Sequence, residues 1–384
     1  MTQGALHGMR VVDLSDERGI FGAKLLGDFG ADVVRPEPPE GDPLRRRGPH
    51  LGGDGASLWY AFFATSRRFL TIDPGRDDDR VRLQQLVERA EVLLTCPGAF
   101  ATDLVDLEAA RAANPGLVHV DVSSFGDSGP WRDFLAPDLV AGALGGNVCI
   151  TGARDTTPLK WFGELNFMVS GIYAAIAALA GRRFVRNSGE GQRVSVSVHE
   201  CLVSCLEHVL MLAWYGDRMG RGRVLPRQGG THWSMAYTVA PARNGAIMIT
   251  PAPHIDAQLA WLIEEDAHGD LLDPKYGDPE NQPLLIARVM QLMREWVATQ
   301  DAEALFYRAQ ARHSPYGWVQ PIERLPENPQ LEARGWWSSL QVDGRTLRAP
   351  GAPFALPDTP AAPSDSTPLS GDALLAELGW ERTR

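Results

Sequence analysis

Asp13, Arg35, Asp73, Thr95 and Ser123 are polar residues that each close a short apolar run. Runs of that length and composition read as strands, and open parallel sheets hold their ligands beyond the carboxyl ends of their strands. A second cluster, Arg45-Arg46-Arg47, follows the proline-rich stretch 36–43, which is too rigid to be helix. It suits either a local anion site or a solvated charge run. Four cysteines (Cys96, Cys149, Cys201, Cys205) form neither a disulfide framework nor a metal-ligand set, so reduced core cysteines and no bound metal are expected. His199 reads as a strand-face residue, and sequence supplies no partner for His232 or His254.

The 384 residues carry a formal charge of −11, and 44% are hydrophobic. That length fits one large domain or two ordinary ones, with a sizeable core. The acidity argues against nucleic acid and anionic membranes as partners. A polyanionic ligand would have to be met by local cationic patches and backbone amides. The N-terminal MTQGALHGMR has no apolar signal core, so a cytoplasmic protein is expected.

The elements that must position these residues alternate in type. Strands are expected over 9–14, 33–35, 69–72, 92–94 and 117–122, with helices over 22–29, 81–90 and 104–114. This pattern predicts an α/β fold with an open, mostly parallel sheet. The first βαβ unit lacks G-x-G-x-x-G, which argues against a nicotinamide or flavin site. A loose-ended helix is expected over Asp138–Gly146. Leu165–Leu179 is uncharged and rich in small residues, the pattern of a buried helix, with Arg182 and Arg183 at its C-terminus. Asn187–Gln192 then turns the chain into a strand alternating from Val194 to His199, and a helix is expected over Leu202–Trp214. Asn244-Gly245 between two apolar runs signals a hairpin, and three helices follow over 257–264, 284–299 and 302–311. Arg348–Ser370 is proline-rich and extended, and Asp372–Leu378 reads as a final helix. The expected organisation is a large domain of 1–205 with 335–384, a linker of 206–230, and a small α+β domain of 231–334.

Several phrases, in order and spacing, resemble the class III CoA-transferases, the CaiB/BaiF family that includes carnitine-CoA and formyl-CoA transferases. They are Leu6–Leu14, Gly30–Pro39 with Gly41-Asp42, Arg67-Arg68 with Thr71–Asp73, Asn114-Pro115, Ser124–Pro130 with Asp138-Leu139, Ser188–Gln192 with Val194–Glu200, Pro350–Phe354 and Leu375–Gly379. The resemblance spans essentially the whole chain. It implies a Rossmann-like large domain built from both chain ends, an interlocked dimer, and CoA or acyl-CoA as substrate on the large domain. It also implies a mechanism in which an aspartate takes the acyl group from the thioester as a mixed anhydride, then carries CoA as an aspartyl thioester to a second acid. Glycine amides would stabilise the oxyanions.

Carried over residue by residue, the aspartate position four residues before Gly171 is Phe167, which can be neither nucleophile nor base. The remaining candidates for catalysis are Glu164, Asn166 and Asp138. The family's racemase histidine falls on Pro137. The resemblance places Arg35, Arg67, Arg68, Thr95, Cys96, Gly98, Phe125 and Gly126 at CoA, and the loops around Phe125, Trp131, Gly145-Gly146 and Trp233 at the acyl group. Trp336-Trp337 reads as hydrophobic packing. Three functions are expected to compete: a CoA-transferase using an altered carboxylate, another acyl-CoA isomerase, racemase or lyase, and a CoA-binding subunit paired with an active homologue.

Overall fold

The computed structural model describes residues 4–220, 227–230, 236–250, 255–369 and 378–380. Expectations for His232, Trp233, His254 and most of the final helix fall outside them. The chain divides into two compact units, one of Met1–Asn147, Lys160–Leu206 and Pro329–Arg384, the other of Val148–Leu159 and Glu207–Asn328. Residues 148–159, assigned from sequence to the large domain, therefore lie with the second unit.

The first unit begins β1 (Arg10–Leu14), α1 (Ile20–Asp28), β2 (Asp32–Glu37), α2 (Leu58–Phe63), β3 (Arg67–Thr71), α3 (Asp77–Arg89), β4 (Val92–Thr95), α4 (Leu107–Ala113) and β5 (Val118–Ser123). It continues through α5 (Asp138–Leu144), the turn of helix α6 (Asn147–Ile150), of which only Asn147 belongs to this unit, α7 (Leu165–Ser188), β6 (Arg193–Ser197) and α8 (Val198–Ser204). The second unit contains α9 (Glu207–Tyr215), β7 (Thr238–Ala242), β8 (Gly245–Ile249), α10 (Ile255–Glu264), α11 (Gln282–Val297), α12 (Ala302–Ala311) and β9 (Gly317–Trp318). The chain then rejoins the first unit with α13 (Pro329–Ala333), the hairpin β10 (Ser338–Val342) and β11 (Arg345–Ala349), and β12 (Thr367–Pro368).

Seven strands form one parallel sheet in the order β12-β3-β2-β1-β4-β5-β6. Successive side chains of a strand point to opposite faces. Val11, Val33, Val92 and Leu94 thus enter one core with Ala23, Leu26, Ala174 and Ala178 of α1 and α7. Val12, Leu14, Val34 and Leu93 enter the other with Leu83, Leu86 and Val87 of α3. Both faces are covered by helices, as an all-parallel sheet requires.

Glycines set how closely α7 can lie. A Cβ on Gly22 of α1 would stand 2.6 Å from the Gly171 carbonyl oxygen, and one on Gly181 would stand 2.5 Å from Val118 of β5. The small face of α7 is therefore pressed on α1 and the sheet, which fixes the position of its N-terminus. α7 is nevertheless not apolar-buried all round. Ile172 is 43% and Ile176 55% exposed, so one apolar stripe faces outward. By length and composition alone α7 could cross a membrane.

Other expectations are corrected locally. α7 runs on to Ser188 and ends at Gly189, whose φ of 78° is the left-handed conformation of a helix C-terminus. Arg182 and Arg183 are therefore inside the helix. β6 stops at Ser197, whose Oγ accepts from the Glu200 N–H, so His199 lies on α8 and not on a strand. The helix expected over Leu202–Trp214 is broken between Ser204 and Glu207. In the second unit Trp261, Met290, Met293 and Tyr316 form the core, and the Asn244-Gly245 hairpin is present. The proline-rich return path ends by adding β12 to the sheet beside β3.

Candidate active site

At the carboxyl end of β1 the chain enters the loop Ser15–Gly19, and at that of β4 the turn Cys96–Gly98. A cavity of about 240 Å³ lies there, lined by Asp13, Asp16, Glu17, Arg35, Asp42 and Gly98 among others. Its floor is an ion network. Asp13 is fully buried and its Oδ2 accepts from Arg35 Nη1 and Arg67 Nε, both at 2.9 Å. Arg35 also donates to Asp42 at 2.7 Å and to the Ser15 carbonyl at 2.9 Å. Arg67 donates to the carbonyls of Phe63 and Ile20. Burial alone would push the Asp13 carboxyl up, but Arg35, Arg67 and two hydrogen bonds from Ser15 together hold it below its ordinary value. The same neighbours act in reverse on Arg35, where burial is outweighed by Asp13 and Asp42 and the guanidinium is held charged.

Each acid of the cavity is paired with a cation, Asp13 and Asp42 sharing Arg35. Arg18 clasps Asp16 and reaches the Pro97 carbonyl at 2.7 Å, tying the β1 loop to the β4 turn. Arg47 pairs with Glu17 at 3.3 Å and with Glu164. Trp59 of α2 donates its Nε1–H to the other Glu164 oxygen at 3.0 Å, and the Arg47 guanidinium stacks 4.8 Å from the Trp59 ring centroid. Glu17 lines the cavity, so Glu164, immediately before α7, joins it through a single arginine. The cation cluster Arg45-Arg46-Arg47 and Trp59 both stand in the sequence. Their convergence on Glu164 is not written there, because it depends on how α7 docks.

Asp138 and Asn166 belong to a different arrangement. The Asp138 carboxylate accepts from Asn166 Nδ2 at 2.8 Å and from the Phe167 backbone N–H at 3.1 Å. A negative charge on those first amides of α7 opposes the positive end of the helix dipole. Asn166 Oδ1 in turn accepts from Asn147 at 2.5 Å. A Cβ on Gly142 would stand 2.7 Å from Asn166 Nδ2, so a side chain there would displace the Asn166 amide from this arrangement. Phe167 is 4% exposed and packs in the core under the sheet.

The residues placed at CoA from sequence separate in space. Arg35 and Gly98 line the cavity. Arg67 is 2% exposed and serves Asp13 from below. Arg68 pairs with Asp32, at the amino-terminal start of β2, away from the strand ends that hold the cavity. Cys96 is fully buried, and burial raises its thiol well above the ordinary range, so neither a thiolate nor a ligand contact comes from its side chain. Thr95 bonds His119 at 2.8 Å and Asp121 at 2.7 Å, and Arg193 completes the row on Asp121. Burial pulls the His119 imidazole down to about 4, against the pull of Asp121. Phe125 stands 5.6 Å from Trp131 and 5.7 Å from His199 in a ring cluster, and the Gly126 N–H donates to Ser123 Oγ. No group of three acidic, histidine or cysteine side chains is placed to hold a metal among the described residues.

The sequence model of CoA-transferase family III matches residues 6–373. The chain belongs to CoA-transferase family III. Among curated members, the formyl-CoA:oxalate CoA-transferase of Streptomyces avermitilis is 29% identical, with 98% of this chain and 96% of that protein covered. The succinyl-CoA:mesaconate CoA-transferase of Haloarcula hispanica is 30% identical, covering 98% and 97%. Among solved structures, a CaiB/BaiF family protein from Brucella suis superposes with a TM-score of 0.82 at 23% identity, covering 98% of this chain and all of that one. This fold likeness agrees with the α/β reading of the sequence.

Proposed function

We propose that this family III chain moves CoA between an acyl-CoA and a carboxylic acid, and that Glu164 is the carboxylate that takes the acyl group. The observation that carries this is the position of Glu164, oriented by Arg47 and Trp59 and joined through Glu17 to the cavity at the ends of β1 and β4. A Glu164 oxygen attacks the thioester carbon, the C–S bond breaks, and CoA leaves as thiolate with a mixed anhydride on Glu164. The thiolate attacks the glutamyl carbonyl, expels the first acid as carboxylate, and leaves CoA in thioester linkage to Glu164. A second carboxylate attacks that thioester, and the released thiolate then attacks the new acyl carbonyl, restoring Glu164. Arg35 and Gly98 border the CoA path, while Arg67 acts by fixing Asp13. Phe125, Gly126 and Trp131 border the acyl group.

The chain works as a cytoplasmic homodimer, with the outward stripe of α7 at Ile172 and Ile176 covered by a second copy. Replacing Glu164→Gln keeps the shape and the Trp59 contact but removes the nucleophile, so transfer of radiolabelled CoA from donor to acceptor acid drops by at least about a thousandfold. A second reading rests on Phe167 filling the family's aspartate position while Asp138 is spent on α7. On that reading the chain binds CoA for an active homologue, and it gains support if Glu164→Gln and wild type bind CoA alike and neither turns over alone.

A further inference from the structure

The amino-terminal ends of the same sheet's strands carry a concave surface of contrasting charge. A cavity of about 620 Å³ lies where the chain enters β1 and where α7 nears its end, lined in part by His7, Gly8, Glu91, Arg182, Arg183 and Arg186. His7 and Gly8 precede β1 and Glu91 precedes β4, so the two cavities sit at opposite ends of the same pair of strands. Five residues of β1 put roughly 15 Å between them.

The arginines are not accounted for by the helix alone. The negative end of the helix dipole acts over the last turn, which explains Arg186 but not Arg182 and Arg183. Arg182 and Arg186 stand one turn apart, a like-charge spacing that disfavours the helix. Glu91 is the one carboxylate lining the cavity among the described residues, and it is already engaged by Arg182 and by the Arg10 backbone N–H at 3.0 Å. Arg183 makes a 3.1 Å bond to Asn187, and Arg186 has no polar partner among the described residues. Both are exposed, as is His7. A chain with net charge −11 thus gathers three guanidiniums and an imidazole around one cavity.

We propose that this cavity binds a small multivalent oxyanion, held by Arg183 and Arg186 while Glu91 fixes Arg182 beside them. Planar guanidinium forks match the paired oxygens of a phosphate or a carboxylate. The proposal stands apart from CoA transfer, since no residue is shared with the cavity at Asp13. It is tested by calorimetric titration of the full chain with pyrophosphate and, separately, with citrate at constant ionic strength. The expected result is one saturable site for at least one of them, weakened by about tenfold or more in Arg183→Gln/Arg186→Gln and by less in Arg186→Gln. Selective binding of pyrophosphate identifies a phosphorylated ligand, and selective binding of citrate a polycarboxylate. On the proposed function CoA raises the melting temperature of the wild type, and it does so equally in both variants, so failure of the CoA reading would be seen separately. Absence of binding at about 10 mM, equal binding by the wild type and the double variant, or a change in oligomeric mass in the double variant overturns the proposal.

Discussion

Replacing Asp13→Asn tests the ion network beneath the candidate active site. Asp13 and Arg67 are buried, at 0% and 2% exposure, and Arg35 at 5%. Removing the charge leaves two buried guanidiniums to share what remains. Arg35 keeps Asp42 at 2.7 Å, but Arg67 keeps only backbone carbonyls. Breaking a buried pair by removing one partner costs about 3–5 kcal/mol, and because Asp42 still holds Arg35 the lower part of that range, about 3 kcal/mol, is expected. Asp42→Asn should cost less, because Asp13 then still holds both arginines. The pH dependence has a definite sign. The folded-state carboxyl of Asp13 is depressed, so its contribution is fully present above the unfolded value of 3.8 and is lost as pH falls through the lower folded value. Urea unfolding followed by tryptophan fluorescence at pH 7 and at pH 3 measures both effects. A change below about 0.5 kcal/mol at pH 7, or an acid limb identical to wild type, refutes the assignment of Asp13 as the charge that the two arginines require.

His119 yields a prediction of the opposite chemical type. It is buried as the neutral imidazole with its folded value near 4, so its contribution is present above the unfolded 6.5 and is lost as pH falls from there towards 4. His119→Gln, which cannot be protonated, flattens the loss of stability between pH 6.5 and 4, as read from urea midpoints across that window. For Asp138→Asn, a helix-end role predicts a loss of about 1 kcal/mol in thermal unfolding with CoA protection retained, because only the charge on the first amides of α7 is removed. If instead turnover collapses with stability unchanged, Asp138 is a proton-transfer group and the capping account is wrong.

The parallel sheet was legible because its strands are short apolar runs punctuated by Gly and Pro, and Asn244-Gly245 marked its hairpin. Some further features do carry a local signal. Ser197-x-x-Glu200 is a helix-start pattern, which explains why β6 ends there. Asp343-Gly344, both at positive φ, is hairpin chemistry joining β10 to β11. Other features had no local signal. The two residues of β12 pair with β3 across some three hundred positions, and the tethering of Glu164 by Arg47 and Trp59 joins segments more than a hundred residues apart. Thr95 and Ser123 do end β4 and β5, but β2 runs on to Glu37 and leaves Arg35 inside it, β3 stops at Thr71 before Asp73, and sequence could not say that Arg35 and Arg67 would turn inward to Asp13. Side-chain direction at a strand end is set by its buried partners, and those are fixed only by the packed fold.

If Glu164 carries the acyl group, its covalent intermediates can be trapped. The most direct measurement incubates the full chain with an acyl-CoA, quenches with hydroxylamine, and maps the modified peptide by mass spectrometry. A hydroxamate is expected on Glu164, formed only when acyl-CoA is present and absent in Glu164→Gln. CoA transfer that proceeds with Glu164 unmodified, or a hydroxamate on a different carboxylate, would contradict it.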